Sequence, residues 1–302
     1  MKNKMFCGIL PALVTPADED GNLLKDAAEK IIRSELESGI AGFYVNGGTG
    51  EGPVLPEKTR MEMAETVAAC AGGRVKLIDH IGAPDIQAAL RLAKHAGKTG
   101  FDAVSSVLPN FYFSYTVPQI LDYFRRIADV SGLPVIVYAN GLTNCDPVDF
   151  MDRAMKIEGV AGVKFTYYDY YAMHRICGLN GGDINVLNGP DETLLCGLVM
   201  GADGGIGTTY NIMPDWFCSL YAAYRAGNLE EARSYQFWIN RVIDIIRAKG
   251  PSIPLVKEVF RLRGIDCGYA VYPARRYSAE ESAELGRLLS EAGIWTGETQ
   301  PS

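Results

Sequence analysis

Val160-Ala161-Gly162-Val163-Lys164-Phe165-Thr166 is a short apolar run broken by one lysine near its end. Runs of this length and composition suit a parallel strand covered on both faces, where polar–apolar alternation disappears. Comparable runs occupy residues 8–14, 42–46, 75–81, 103–108, 134–140, 184–188 and 204–208. Between them lie stretches with helical spacing. Residues 24–38 end before Gly39, a glycine suited to a C-terminal cap, and 56–70 open on Pro56 and stop before Gly72-Gly73. Residues 86–98, 117–130, 147–157, 170–179 and 191–200 follow the same rhythm.

Strands alternating with helices imply βαβ crossovers and a parallel sheet. Eight such units within about 210 residues fit an α/β fold of the (β/α)8 TIM-barrel type. A doubly wound open sheet would announce a dinucleotide site with G-x-G-x-x-G after its first strand. Nothing of that kind follows residues 8–14. Beyond Thr208 only helical patterns occur, at 214–226, 229–249, 253–263 and 279–292. The expected organisation is a barrel over 1–211 and a C-terminal helical extension over 212–302 that closes and packs on it, with 295–302 frayed.

The 302 residues carry 29 Lys+Arg against 36 Asp+Glu, a net charge of −7. That balance lacks the basic footprint of a nucleic-acid binder, while leaving room for a local site for a small anion. No apolar run reaches the ~18 residues of a membrane span. Pro11 interrupts the apolar segment 5–14, and no small-residue cleavage pattern follows it. Seven widely spaced cysteines without C-x-x-C read as reduced, mostly buried thiols of a cytoplasmic protein. His80, His95 and His174 stand in no metal-ligand spacing, and no G-x-S-x-G or Walker motif occurs. Glycine is abundant at 33 residues.

Barrel active sites lie at the C-terminal ends of the strands. A lysine inside a covered strand needs a partner or a purpose. Lys164 shares one face of its strand with Gly162 and Thr166, and Ala161, Val163 and Phe165 share the other. Burial disfavours the charged form of an amine, and a neutral amine can attack a carbonyl to form a Schiff base. The alternative is a solvated lysine at the rim. Tyr138 shares an inward face with Ile136 and Asn140, either as packing or as a proton shuttle. Asn46-Gly47-Gly48-Thr49-Gly50-Glu51-Gly52 is either a tight turn or an anion-binding nest of backbone N–H groups. Asn188-Gly189-Pro190-Asp191-Glu192 puts two acids at a helix start, either for capping or for accepting sugar hydroxyls. Glycines at these strand ends read as room for a ligand.

Taken together, Gly47-Gly48-Thr49-Gly50-Glu51, Tyr138, Gly162-Val163-Lys164 and the 204–211 segment resemble the dihydrodipicolinate synthase/N-acetylneuraminate lyase superfamily of class I aldolases. The resemblance runs over nearly the whole chain, and residues 188–192 and 204–211 look most like the N-acetylneuraminate lyase branch. The synthase branch has an arginine where Thr143 stands. The resemblance implies a small 2-oxo acid as substrate and a Schiff base on Lys164, with no metal or organic cofactor. It implies that Gly48 and Thr49 hold the carboxylate and that Tyr138 moves the proton. It further implies that Thr166, Gly189, Asp191, Glu192 and Thr208 orient the sugar, in a homotetramer of tight dimers. Two positions depart from the pattern. Gly48 stands where the superfamily has serine or threonine. Phe111, with Tyr112 beside it, stands where a neighbouring subunit contributes a tyrosine. These departures favour a superfamily aldolase or dehydratase acting on another 2-oxo sugar acid, and the acidic pair favours N-acetylneuraminate; a relative that only binds a 2-oxo acid is the third reading, and Lys164 argues against it, since binding alone needs no desolvated amine.

Overall fold

A computed structural model describes residues 4–140 and 145–294. Thr143 and the expected fraying of 295–302 lie outside the described residues. Each apolar run contains a strand: β1 (Gly8–Pro11), β2 (Gly42–Val45), β3 (Lys76–His80), β4 (Ala103–Val107), β5 (Val135–Ala139), β6 (Val160–Phe165), β7 (Asn185–Asn188) and β8 (Gly204–Gly207). The strands pair in parallel in the order β1-β8-β7-β6-β5-β4-β3-β2. The ring closes between first and second strands: the Ala41 amide donates to Ile9 O at 2.8 Å and the Leu13 amide to Tyr44 O at 2.9 Å. This is a TIM barrel.

The helices are α1 (Lys25–Glu37), α2 (Glu57–Ala71), α3 (Ile86–Thr99), α4 (Val117–Ser131), α5 (Pro147–Ala154), α6 (Tyr170–Cys177), α7 (Leu194–Val199), α8 (Pro214–Arg225), α9 (Leu229–Lys249), α10 (Ser252–Leu262) and α11 (Ala279–Glu291). Their ends follow local chemistry. Asp85 accepts from the amides of Gln87 and Ala88 to start α3, and left-handed Gly72, Gly100 and Gly132 end α2, α3 and α4. The single helix expected over 191–200 is instead a 3-10 turn, Asp191–Thr193, followed by α7. Thr193, at φ −134°, breaks the helical path.

Leu10, Tyr44, Ile78, Ala103, Ile136, Leu187 and Ile206 fill the barrel interior, with Phe6 beneath them. Alternate residues such as Val104, Val137, Val163 and Phe165 face outward against the helices. One expectation needs correction here. Ala161 packs against the inner cluster, not beside Val163 and Phe165. The register slips between Val135↔Val160 and Ile136↔Gly162, so Ala161 is the extra residue of a bulge, which reverses facing below it.

The terminal helices share a core with the barrel: Ile239, Val242, Ile246, Leu255, Val259, Leu285 and Leu289 belong to one buried cluster with Ile9, Ile31, Phe43 and Met63. Burial of each large aliphatic side chain contributes about 1.5–3 kcal/mol. The cysteines are free, but only Cys267 is buried and Cys196 is exposed, contrary to the expectation of mostly buried thiols. Cys70, Cys177, Cys196 and Cys218 lie on outer helices, which protein covers on one side only. Among the described residues no helix is long and apolar enough to cross a membrane.

Candidate active site

Lys164 stands opposite Tyr138 of β5 and Leu187 of β7, near the C-terminal end of β6. It points inward and is 5% exposed. Its Nζ lies 4.3 Å from the centre of the Tyr138 ring and 4.4 Å from that of Tyr44. The two rings meet edge to face at 6.2 Å. Among the described residues no carboxylate pairs with this amine. Electron-rich ring faces hold the lysine in place without an acid that would fix it permanently as a salt bridge. Tyr44 escapes the sequence reading. The signal for it is its inward position on β2, just ahead of the glycine-rich loop. Its hydroxyl is bonded to Ser105 Oγ at 3.0 Å, and burial holds the phenol well above its ordinary pKa.

His80 packs against both tyrosines, with ring centres about 6 Å apart. Its Nε2 accepts from the Val107 amide at 3.2 Å, which assigns the proton to Nδ1, facing Asn46 O at 3.1 Å. Burial, then the charges of Arg60 and Lys164, push its pKa down to about 3. It is a neutral structural strut, and it braces the start of the loop after β2.

That loop is built by close backbone approaches. Asn46 and Glu51 both adopt left-handed φ, 57° and 55°. The Asn46 side chain donates to Asp79 Oδ1 at 2.8 Å and to Arg60 O at 3.0 Å. A Cβ on Gly52 would lie 1.9 Å from Asn46 O, and one on Gly47 would lie 2.6 Å from the Tyr44 ring. At Gly48 a Cβ would meet nothing within 4 Å. Among the described residues no protein acceptor takes the amides of Gly48 and Thr49. Consecutive backbone amides without a protein acceptor suit a carboxylate. Thr49 Oγ1 meets Thr208 Oγ1 at 2.6 Å, tying this loop to the end of β8. Glu51, at the loop's far end, pairs with Lys257 of α10 at 2.6 Å and accepts from the Val271 amide.

Across the barrel mouth, Gly189 lies against Thr166: a Cβ there would sit 2.0 Å from Thr166 Oγ1. The Thr166 hydroxyl is buried and has no hydrogen-bond partner among the described residues. Asp191 accepts from both the amide and the hydroxyl of Thr209 at 2.7 Å. Burial raises its pKa to about 6, against the lowering effect of those Thr209 bonds. Glu192 is different. Its Oε1 accepts from the Tyr168 hydroxyl at 2.6 Å at the rim. From α9, Gln236 donates to Asp191 O at 3.3 Å and Asn240 to Glu192 O at 3.1 Å. Neither bond is foreseeable from sequence.

All the sequence-predicted site residues therefore gather at the C-terminal mouth, in three groups: Lys164 with Tyr138, Gly48 and Thr49 with Thr208, and Gly189, Asp191 and Glu192 with Thr166 nearby. The reading of the glycines needs correction. A Cβ would lie 2.3 Å from Asn185 O at Gly162, 2.0 Å from Gly8 O at Gly204 and 2.0 Å from Asp191 Oδ1 at Gly207. These glycines make room for protein, because strands and loops approach closely here. Gly48 is the one of them that opens onto free space.

Comparison with known proteins is consistent with this geometry. A profile of the dihydrodipicolinate synthetase family matches residues 5–292. The chain is 35% identical over 297 residues to N-acetylneuraminate lyase of Rhizobium meliloti, covering 97% of both chains. It is 37% identical over 246 residues to the Citrobacter koseri lyase, covering 80% of this chain and 82% of that one. The solved structure of Proteus mirabilis N-acetylneuraminate lyase superposes with a TM-score of 0.90 at 28% identity, covering 97% of this chain and all of the other. On barrel, site and sequence together, the chain belongs to the dihydrodipicolinate synthetase family.

Proposed function

We propose that this protein is a Schiff-base aldolase that cleaves a 2-oxo sugar acid, N-acetylneuraminate, to pyruvate and N-acetylmannosamine. The observation that carries the reading is Lys164: a buried amine over two phenol rings, near a strand end. In this reading the substrate carboxylate lies on the amides of Gly48 and Thr49. The Lys164 amine adds to the C2 ketone, the Tyr138 phenol gives its proton to the departing hydroxyl and water leaves, giving an iminium and a Tyr138 phenolate. Tyr138 takes the proton of the C4 hydroxyl, C4 becomes the aldehyde, and the C3–C4 electron pair flows into the iminium. The enamine left on Lys164 takes a proton at C3, and water releases pyruvate and regenerates the amine. Thr166, Gly189, Asp191, Glu192 and Thr208 orient the sugar hydroxyls. The named activity of the relatives supports the choice of substrate.

A second reading, another 2-oxo sugar acid, has one observation in its favour: position 48 is a glycine that opens onto free space, so no side-chain hydroxyl stands there. The proposal also includes a cytoplasmic homotetramer. Exposed Phe111, Tyr112 and Phe113 after β4 support the assembly.

The test is to mix the protein with pyruvate, reduce with borohydride and locate the adduct. An adduct on Lys164 is expected; its absence would overturn the aldolase reading. Pyruvate release from N-acetylneuraminate then separates the first substrate from the second.

A further inference from the structure

Tyr168 follows β6 by three residues and is 64% exposed, yet its hydroxyl is committed. It donates to Glu192 Oε1 at 2.6 Å, joining the loop after β6 to the turn after β7. The bond to the carboxylate, ahead of partial burial, pushes the phenol up to about 12, so it remains a donor at any physiological pH. The Glu192 backbone is fixed separately, by Asn240 on its carbonyl oxygen. The carboxylate of its neighbour Asp191 is held by Thr209. Of the two acids, Glu192 is therefore the one whose carboxylate stands at the rim, and Tyr168 restrains its direction.

We propose that Tyr168 is a specificity-determining positioning residue. By holding Glu192 Oε1 it leaves Oε2 to accept from a hydroxyl of a long polyol chain, and so selects 2-oxo acids that carry such a chain. This rests on the aldolase reading above. A carboxylate has several acceptor sites, so one phenol and one ligand hydroxyl can share it. A pinned carboxylate loses less freedom on binding than a free one. Short 2-oxo acids such as pyruvate do not extend to this rim and gain nothing from it.

The test compares wild type, Tyr168→Phe, Glu192→Gln and the double variant. Two quantities are read: the KM for pyruvate release from N-acetylneuraminate, and the pyruvate concentration that half-saturates borohydride trapping. Loss of one charge-assisted bond predicts that the ratio of the first to the second rises about tenfold in Tyr168→Phe. In the Glu192→Gln background the same change adds little, because the two residues act through one contact. An unchanged ratio, or two effects that simply add, overturns the proposal. Failure of wild type to trap pyruvate overturns the aldolase reading and this proposal with it. Trapping without cleavage of N-acetylneuraminate overturns the substrate assignment and the selectivity built on it.

Discussion

Lys164 and Lys257 are both buried, at 5% and 1% exposure, but in different company. Lys257 has a carboxylate, Glu51, at 2.6 Å and the Tyr269 carbonyl at 2.9 Å. Lys164 has two ring faces and, among the described residues, no carboxylate in contact. A charge taken from water must be compensated, and full compensation by an acid fixes its protonation and position. Lys257 is a structural pin: it joins α10 to the loop that presents Gly48 and Thr49. Lys164 has no such acid among the described residues, and cation–π contacts hold an amine more weakly than a salt bridge does. Burial alone would have ranked the two lysines the other way round.

The largest expected effect sharpens this contrast directly. Lys164→Ala should abolish the trapped pyruvate adduct and pyruvate release, since the proposed nucleophile is gone. The melting temperature should hold or rise slightly, because no buried partner is left unpaired. Mass spectrometry of the trapped protein and a thermal melt check both halves. A large loss of stability would break the comparison.

Lys257→Met should behave in the opposite way. Stranding the buried Glu51 carboxylate is expected to cost about 3–5 kcal/mol. For a chain of this size that corresponds to a fall in melting temperature of roughly 5–10 °C. Combining it with Glu51→Gln should recover part of the loss. Pyruvate trapping should survive at higher pyruvate concentration, because the loop proposed to hold the carboxylate is loosened while the amine is intact. Thermal melts and a trapping titration of the three variants provide the check.

His80 offers a smaller, pH-dependent test of the strut beside Lys164. Its folded pKa, about 3, lies below the ordinary 6.5. Between those values the unfolded chain binds a proton that the folded chain refuses, so stability is lost as pH falls through this window. His80→Gln should remove about one proton from the slope of unfolding free energy against pH between 6.5 and 3, measured by denaturant titration. An unchanged slope would show that His80 already titrates when folded.

Gly48→Ser should give the smallest effect. The Cβ meets open space, so the melting temperature should move by no more than about 1 °C. The new hydroxyl stands on the glycine-rich loop after β2, and a change of several-fold in kcat for N-acetylneuraminate, in either direction, is the expected scale for one added proton-relay group. Gly207→Ala, by contrast, places a methyl 2.0 Å from Asp191 Oδ1 and should distort the end of β8.

Much of the site is readable in the chain because its residues are chemically out of place where they stand. A lysine at position 164 interrupts an apolar run, and the glycines at 47, 48, 50 and 52 crowd a strand end. Tyr44, Tyr168, Lys257 and Asn240 carry no such mark. A tyrosine inside a strand is ordinary, and a lysine or asparagine on a helix is ordinary as well. Their roles arise from contacts between distant segments, such as Glu51 with Lys257 and Glu192 with Tyr168 and Asn240.

The amino-acid sequence by itself determined the repeat of eight strands and helices, and with it the barrel, because periodicity and β-branched runs are local properties. It also determined which lysine sits at a strand end, since strand direction follows from chain order. Only the tertiary structure decided which buried lysine is paired with an acid, which glycines make room for protein and which one opens onto free space, and where Ala161 faces. Those outcomes depend on distances of 2–4 Å between segments far apart in the chain, which hydrophobic patterning constrains only to the level of a face.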